Sequence, residues 1–326
     1  MIRMRNLRWF RRLVWFVFAA TAIATLLSLL ATRHWLFELF THFRPYYLLL
    51  QAALFLVLLS WRQRRAAAVT LMLAGSNLSF VGPYVVPLMV QESAAVVAGA
   101  TTTVVVVNLN YRNDEYARVL DYVRRRSPDV VLFSELTGAW EAALTSLEFG
   151  YAYKTTYARE GPYGMGIYSR LPLASIEALE LGAPDTVNMR AVLDVAGHKI
   201  DIYSVHLMAP TKPDWAATRV TQFDALKESI AAAKAPGHIT VVAGDLNVTP
   251  FSPYFTDLLE HTGLDDAARR YGLRHTWPTY MFPLGIAIDH CLVTPADAVA
   301  RVDLGPDLGS DHLPLEIEIG PILALN

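Results

Sequence analysis

The residues best equipped for chemistry fall at the ends of apolar runs. Asp245 and Asn247 follow the run 239–243 and flank Leu246; Gly244 allows close backbone approach, and Pro250 closes the stretch. In an extended chain an acid and an amide two residues apart point to one side, and the leucine between them to the other. Such a pair suits the handling of a phosphate and a water. The plainer reading is an Asx turn that ends a strand. Asn108, Glu135 and His206 each end another apolar run, Asp289 and His290 lie inside the run 287–293, and Ser310-Asp311-His312 precedes the last one. Taken singly, Glu135 reads as a strand-end acid and His206 as a structural imidazole. Asp289 differs, because a carboxylate buried in a strand is costly unless it is paired or put to use.

These positions demand a β-rich scaffold. β-Branched residues over 103–109 and apolar residues over 130–133 predict two strands. Helical spacing over 116–126, ending in Arg124, Arg125 and Arg126 and broken by Ser127-Pro128-Asp129, places one helix between them. Asn108 and Glu135 then become neighbours on one rim of a sheet. The run 164–172 reads as a strand and turn, and 189–195 with 199–205 as a hairpin through Ala196-Gly197-His198. Residues 215–233 read as a helix leading into the strand 239–243.

The first hundred residues pose a separate problem. The chain has 326 residues, is 53% apolar and carries a formal net charge of -2, which leaves room for a membrane part and one large domain. Ten arginines but only Glu38 and Glu92 lie in residues 1–100, so the remainder holds 18 basic and 28 acidic residues. The single cysteine, Cys291, excludes an internal disulfide and any Cys-rich zinc site. Three uncharged runs, 13–32, 45–61 and 66–90, suit helices crossing a bilayer core about 30 Å thick. The first is too long for a signal peptide and lacks a small-x-small cleavage site. Tyr46, Tyr47 and Trp61 suit the membrane interface, and Asn77, Gly82, Pro83 and Pro87 predict a kinked or interfacial end to the third run.

Charge sets the expected orientation. Five arginines precede the first run, three lie between the second and third, and two lie in the first loop. The positive-inside rule then puts the amino terminus in the cytoplasm and everything after the third run on the far side. A third run that failed to cross would leave the catalytic part in the cytoplasm. The expectation is a multi-pass protein of the inner (plasma) membrane, with an anchor over 1–92, a linker over 93–102 and a periplasmic domain over 103–320.

Asn108, Glu135, His206, Asp245-x-Asn247, Ile288-Asp289-His290 and Ser310-Asp311-His312, in this order and spacing, resemble the endonuclease/exonuclease/phosphatase superfamily, the DNase-I-like fold. The resemblance covers residues 103–319, and the membrane segment outside it is similar to that of bacterial members. It implies an α/β fold: a four-layer sandwich of two mixed β-sheets flanked by helices, with one active site at the top of both sheets. It also implies a metal-dependent hydrolase acting on phosphoester bonds. By resemblance, Glu135 is the main carboxylate ligand of Mg²⁺ (or Mn²⁺), with Asn108 nearby and Asp311 as a further metal contact. Asp245 matches the acid that orients or deprotonates the attacking water, and Asn247 the amide that holds it or a phosphate oxygen. His312 matches the catalytic histidine, Asp289 its orienting carboxylate, and His206 a residue that contacts the phosphate. Ser134 stands where many members carry Gln, and Asn110 where some carry Asp.

Three functions compete on these residues. The leading one is a membrane-anchored phosphoesterase for a small or lipid-linked phosphoester. A nuclease acting on nucleic acid is the second, although nothing resembles the inserted basic loops of DNA-cleaving members, and the soluble part has an excess of acids. A non-catalytic binding module on the same fold is disfavoured because the carboxylates, the amide and the histidines are all present.

Overall fold

The computed structural model describes residues 2–90, 101–195 and 198–320. It forms two compact units, Met1–Met89 with Thr249–Pro253, and Val90–Val248 with Tyr254–Asn326.

The first unit is helical: α1 (Ile2–Ser28), α2 (Trp35–Leu39), α3 (Arg44–Ser60) and α4 (Arg64–Val90), with a 3₁₀ turn at Phe40–Phe43 between α2 and α3. Three segments are long and apolar enough to cross a membrane: Arg8–Ser28, Trp35–Ser60 and Arg64–Val85. The second starts earlier than the uncharged run that announced it. Glu38 and Arg44, whose charges made 33–44 read as a loop, are buried instead. Arg44 is only 1% exposed and donates to Ser28 O (3.1 Å) and Asn77 Oδ1 (3.3 Å). Asn77 Nδ2 donates to Thr25 Oγ1 (2.9 Å) and Gln51 Oε1 (3.0 Å), and Gln51 Nε2 reaches the same hydroxyl at 2.9 Å. In hydrocarbon such polar pairs hold helices together. With Arg44 inside the bundle, Arg33 alone remains as a basic residue of the first loop. α4 runs on through Gly82, Pro83 and Pro87 to Val90.

The second unit contains, in order, β1 (Thr102–Asn108), α5 (Tyr116–Arg126), β2 (Val130–Ser134), α6 (Gly138–Leu144), β3 (Tyr153–Tyr157), β4 (Met165–Ser169), β5 (Leu173–Leu179), β6 (Asn188–Val195), β7 (His198–His206) and α7 (Pro213–Ala233). After these come β8 (Ile239–Asp245), α8 (Pro253–Thr262), β9 (Asp265–Asp266), α9 (Ala268–Tyr271), β10 (Asp289–Thr294), β11 (Val299–Leu304) and β12 (Leu315–Ile319). The linker expected over 93–102 lies outside the described residues up to 100, as do Ala196 and Gly197 of the expected hairpin turn. Two six-stranded mixed sheets result, in the orders β11-β12-β1-β2-β4-β3 and β5-β6-β7-β8-β10-β9.

Alternation along the strands builds four layers. Val104, Val106, Val130 and Leu132 of one sheet meet Ile200, Ile202, Val241 and Ala243 of the other in the central core. Val105, Val107, Val131 and Phe133 face outward onto Trp140 and Leu144 of α6 and Val119 and Val123 of α5. Tyr203, Val205 and Val242 do the same with Phe223 and Leu226 of α7 and Phe255 and Leu258 of α8. Emptying one such position, Phe133→Ala for instance, costs about 3–5 kcal/mol.

One parallel pair lies in each sheet, β1 with β2 and β7 with β8. Parallel neighbours need a crossover, supplied here by α5 and α7, and their carboxyl ends come out side by side. The strands on both flanks of each pair are antiparallel, β12 and β4 about β1–β2 and β6 and β10 about β7–β8, so each begins where the pair ends. The pairs and their flanking strands therefore bring four strand ends and four strand starts to one rim.

Candidate active site

Inward parity carries several polar side chains to that rim. Asn108 continues the inward series of Val104 and Val106, His206 that of Ile200 and Ile202, and Asp245 that of Val241 and Ala243. Asp289 opens β10 on the same parity as Cys291 and Val293. Strand register sets His206 and Asp289 on either side of Asp245. Gly244 makes the spacing possible: it has φ +139°, and a Cβ there would lie 2.0 Å from Val205 O. The Asx turn of the plain reading is present, with Asn247 N–H donating to Asp245 Oδ1 at 2.8 Å. Asn247 itself is left-handed (φ 52°), and its Nδ2 donates to Leu207 O at 2.8 Å.

His312 Nδ1–H donates to Asp289 Oδ2 at 2.8 Å, which leaves Nε2 facing Asp245 Oδ2 at 3.7 Å. His206 Nε2 stands 3.7 Å from the same oxygen. All four side chains are buried, and their electrostatics interlock. Burial first, and then Asp289, push the Asp245 carboxyl well above the usual range. Burial alone would raise Asp289 too, but His312 outweighs it, and the pKa of Asp289 falls. Burial works against a charged His312, yet Asp289, Asp245 and Asp311 together raise it to about 10. His206 goes the other way, chiefly by burial, and stays neutral. Asp245 thus lies between one imidazole held as a cation and one held neutral.

The other side of the rim is built differently. Alternation would send Glu135 outward with Val131 and Phe133, but the residue takes φ 58° and the pattern breaks there. Its carboxylate accepts from Asn108 Nδ2 (3.1 Å) and Tyr111 N–H (3.0 Å). Gly164 packs against this turn, where a Cβ would sit 2.0 Å from Leu136 O. Asn110, also left-handed (φ 53°), donates through Nδ2 to Asp311 Oδ1 at 2.8 Å, and Trp277 Nε1 donates to Asp311 Oδ2 at 3.0 Å. Glu135 and Asp311 are half-buried.

Eight residues singled out in the sequence, Asn108, Glu135, His206, Asp245, Asn247, Asp289, Asp311 and His312, therefore stand on one rim. Asn108 holds Glu135 with its amide nitrogen, and its Oδ1 accepts from Asn110 N–H at 3.0 Å. His290 alternates outward: its Nε2–H donates to Val248 O at 2.7 Å, its ring packs 4.6 Å from Phe255, and it braces the turn after Asn247. Three supporting residues escaped the sequence reading. Asn188 Oδ1 accepts from His206 N–H at 2.8 Å, Thr276 Oγ1 meets Asp289 N–H at 3.4 Å, and Tyr163 sits 6.0 Å from His206 with its phenol pushed up to about 12 by burial and then by Glu135. Each is a polar residue at the first turn of a strand or in a loop, where pattern gives no signal.

Among the described residues, two sets of side chains offer donor atoms for a cation. Asp245, Asp289 and His312 have donor atoms within 4.8 Å of one another, but His312 Nδ1 and Asp289 Oδ2 already bind each other. Glu135 and Asp311 each accept a single hydrogen bond per oxygen and keep lone pairs free.

Residues 105–312 match the family model described as the Endonuclease/Exonuclease/phosphatase family. No curated protein matches the chain. Among solved structures, D. rerio TDP2 complexed with single strand DNA product is 19% identical, with a TM-score of 0.57 over 68% of this chain and 99% of that one. A 3'-5' exonuclease, NExo, from Neisseria meningitidis is 22% identical, with a TM-score of 0.54 over 67% and 99%. An AP endonuclease from Archaeoglobus fulgidus is 16% identical, with a TM-score of 0.55 over 67% and 99%. These likenesses show the DNase-I-like fold.

Proposed function

The chain belongs to the Endonuclease/Exonuclease/phosphatase family and is a metal-dependent hydrolase of phosphoester bonds, and from that premise we propose a membrane-anchored phosphoesterase for a small or lipid-linked phosphoester. One observation carries the reading: the buried chain Asp289–His312–Asp245 stands on the same rim as the half-buried carboxylates of Glu135 and Asp311. Asp245 takes the attacking water, oriented by Asn247. His312, held cationic and fixed in orientation by Asp289, faces the phosphoryl group and supplies the proton to the leaving oxygen. His206 contacts the phosphate.

Glu135 is the principal metal ligand, Asp311 a further one, and Asn108 acts by orienting Glu135. An all-oxygen, partly exposed donor set with lone pairs to spare suits a hard cation that keeps several waters, Mg²⁺ or Mn²⁺. When bound, the ion polarises the phosphoryl oxygens and offsets charge that develops on them.

The preference for small or lipid-linked substrates rests on charge and tethering. A protein that grips a polyanion neutralises several phosphates with Lys and Arg, yet residues after 100 hold 18 basic against 28 acidic side chains. Three spans with arginine-rich cytoplasmic flanks would place the domain across an inner membrane from the amino terminus and raise its effective concentration at the lipid surface. Nucleic acid is the second reading, favoured by the similar TDP2 fold complexed with DNA product. The test gives the full chain in detergent Mg²⁺ or Mn²⁺ with plasmid DNA, single strands and phospholipid-headgroup diesters. Headgroup diesters should turn over fastest. Efficient DNA cleavage at physiological salt, lost in Asp245→Ala and His312→Ala, would move the assignment to a nuclease.

A further inference from the structure

Residues 277–287 form an uncharged strip beside the site, Trp-Pro-Thr-Tyr-Met-Phe-Pro-Leu-Gly-Ile-Ala. Its tip is unusually open: Tyr280 is 80% exposed, Met281 48%, Phe282 59% and Leu284 61%. Water-facing apolar groups this close together mark a docking surface more often than a free one. The strip is well supported. Trp277 N–H donates to Ile286 O at 3.2 Å and Ile286 N–H to Trp277 O at 2.6 Å, closing its base. Met281 N–H to Pro278 O (3.0 Å) and Leu284 N–H to Met281 O (2.7 Å) shape the tip. It is also fastened to the site, because Thr279 N–H donates to Asp311 O at 2.9 Å, Thr279 Oγ1 to Ser310 O at 3.0 Å, and Trp277 Nε1 to Asp311 Oδ2 at 3.0 Å.

We infer that residues 280–284 dip into the interfacial layer of a lipid bilayer and hold the catalytic rim against membrane-borne phosphoesters. Tyr, Phe, Met and Leu without a charge are side chains that a headgroup–acyl boundary accepts. A nucleic-acid wedge would need lysines or arginines to meet phosphates, and residues 277–287 contain neither; the basic side chain that meets the strip is His275, whose Nδ1 lies 3.1 Å from Pro283 O. The bilayer is also the partner closest to hand. Three segments of the chain are apolar enough to cross one, and the sequence between Val90 and Thr102, even fully extended, reaches only about 40 Å. The inference rests on the membrane-anchored reading and narrows its substrate to esters at a lipid surface.

Two experiments on the full chain in lipid nanodiscs test it. Cys291, the single cysteine, is buried, so Phe282→Cys accepts an environment-sensitive dye selectively. Phe149→Cys serves as the control, since Phe149 is fully exposed just before β3, whose first residue pairs with Ser169 at the opposite rim. The dye at 282 should shift to the blue and be quenched by lipids spin-labelled in the acyl chain, while that at 149 stays water-like. Equal, unquenched emission at both positions would overturn the inference, as would a shift on adding single-stranded DNA with none from lipid. This readout needs no turnover, so it fails separately from the hydrolase assignment. The second experiment combines Tyr280→Ser, Phe282→Ser and Leu284→Ser. Turnover of a nanodisc-borne headgroup diester should fall about tenfold or more, with soluble bis-p-nitrophenyl phosphate unaffected. An equal loss on both substrates would make the strip a structural element of the site and refute its membrane role.

Discussion

The two halves of the catalytic rim use one construction for opposite ends. In each, a parallel strand pair is crossed by a helix, β1–α5–β2 and β7–α7–β8, and ends in a polar pair in register, Asn108 with Ser134 and His206 with Asp245. In each, a left-handed residue follows the second strand, Glu135 or Asn247, and a glycine allows close backbone packing nearby, Gly164 against Leu136 and Gly244 against Val205. The halves part in burial and partners. Glu135 and Asp311 remain half-exposed and are met by neutral amide and indole donors. Asp245 and Asp289 are buried and are met by imidazoles. Half-exposed carboxylate oxygens with lone pairs to spare are open to a cation. Burial among imidazoles makes proton placement sensitive to every neighbour. On the proposed roles, the comparison separates a half suited to a cation from a half suited to proton transfer.

The largest effect should come from breaking the proton half. His312→Ala and Asp245→Asn should each lower kcat roughly 10²–10⁴-fold with little change in KM, and extra metal should not restore it. Full rescue by metal would erase the distinction between the halves. On the cation half, Asn108→Ala leaves Glu135 without its amide partner. The metal concentration for half-maximal activity should rise about 10–100-fold, with kcat near wild type at saturation. A titration showing reduced kcat at saturating metal and an unchanged midpoint would place Asn108 in the proton half instead.

pH sharpens the contrast. His312 is raised from 6.5 to about 10, so its cation stabilises the folded state fully below about 6.5, and that contribution disappears as pH rises through about 10. Asp289→Asn should bring the alkaline limb of the activity profile down toward neutrality and flatten the loss of thermal stability between those values. A limb unmoved by this change would show that His312 is not the group titrating. The smallest effect belongs to His290, which burial holds below 6.5 in the folded protein. Its neutral form contributes stability above that value, lost as pH falls through the depressed pKa. His290→Gln retains a donor for Val248 O and should reduce the acid-side loss in thermal melts without altering activity at neutral pH.

Much of this was legible because the strands that carry the site are central and nearly all apolar: β1, β2, β7 and β8 announce themselves, and α5 lies at 116–126, where its spacing put it. Edge strands were not. β3 (Tyr-Lys-Thr-Thr-Tyr) and β5 (Leu-Ala-Ser-Ile-Glu-Ala-Leu) are largely exposed and carry little of the apolar pattern that burial imposes. Arg44 misled for the converse reason. A charge ends an apolar run on paper, whereas in the fold its hydrogen bonds to Ser28 and Asn77 let it lie buried inside the helical span Trp35–Ser60. The site acids could be picked out by position, but the inward turn of Glu135 depends on a left-handed φ at a residue type that rarely adopts one. Asn188 and Thr276, which support His206 and Asp289, lie outside any motif.

The division of labour is tested most directly by Mn²⁺ binding to the full chain in detergent, followed by electron paramagnetic resonance. Wild-type protein should bind Mn²⁺, Glu135→Gln should lose most of that affinity, and His312→Ala should keep it. If the bound signal instead vanishes in His312→Ala and survives in Glu135→Gln, the ion lies among Asp245, Asp289 and His312, and the assignment of the two halves is wrong.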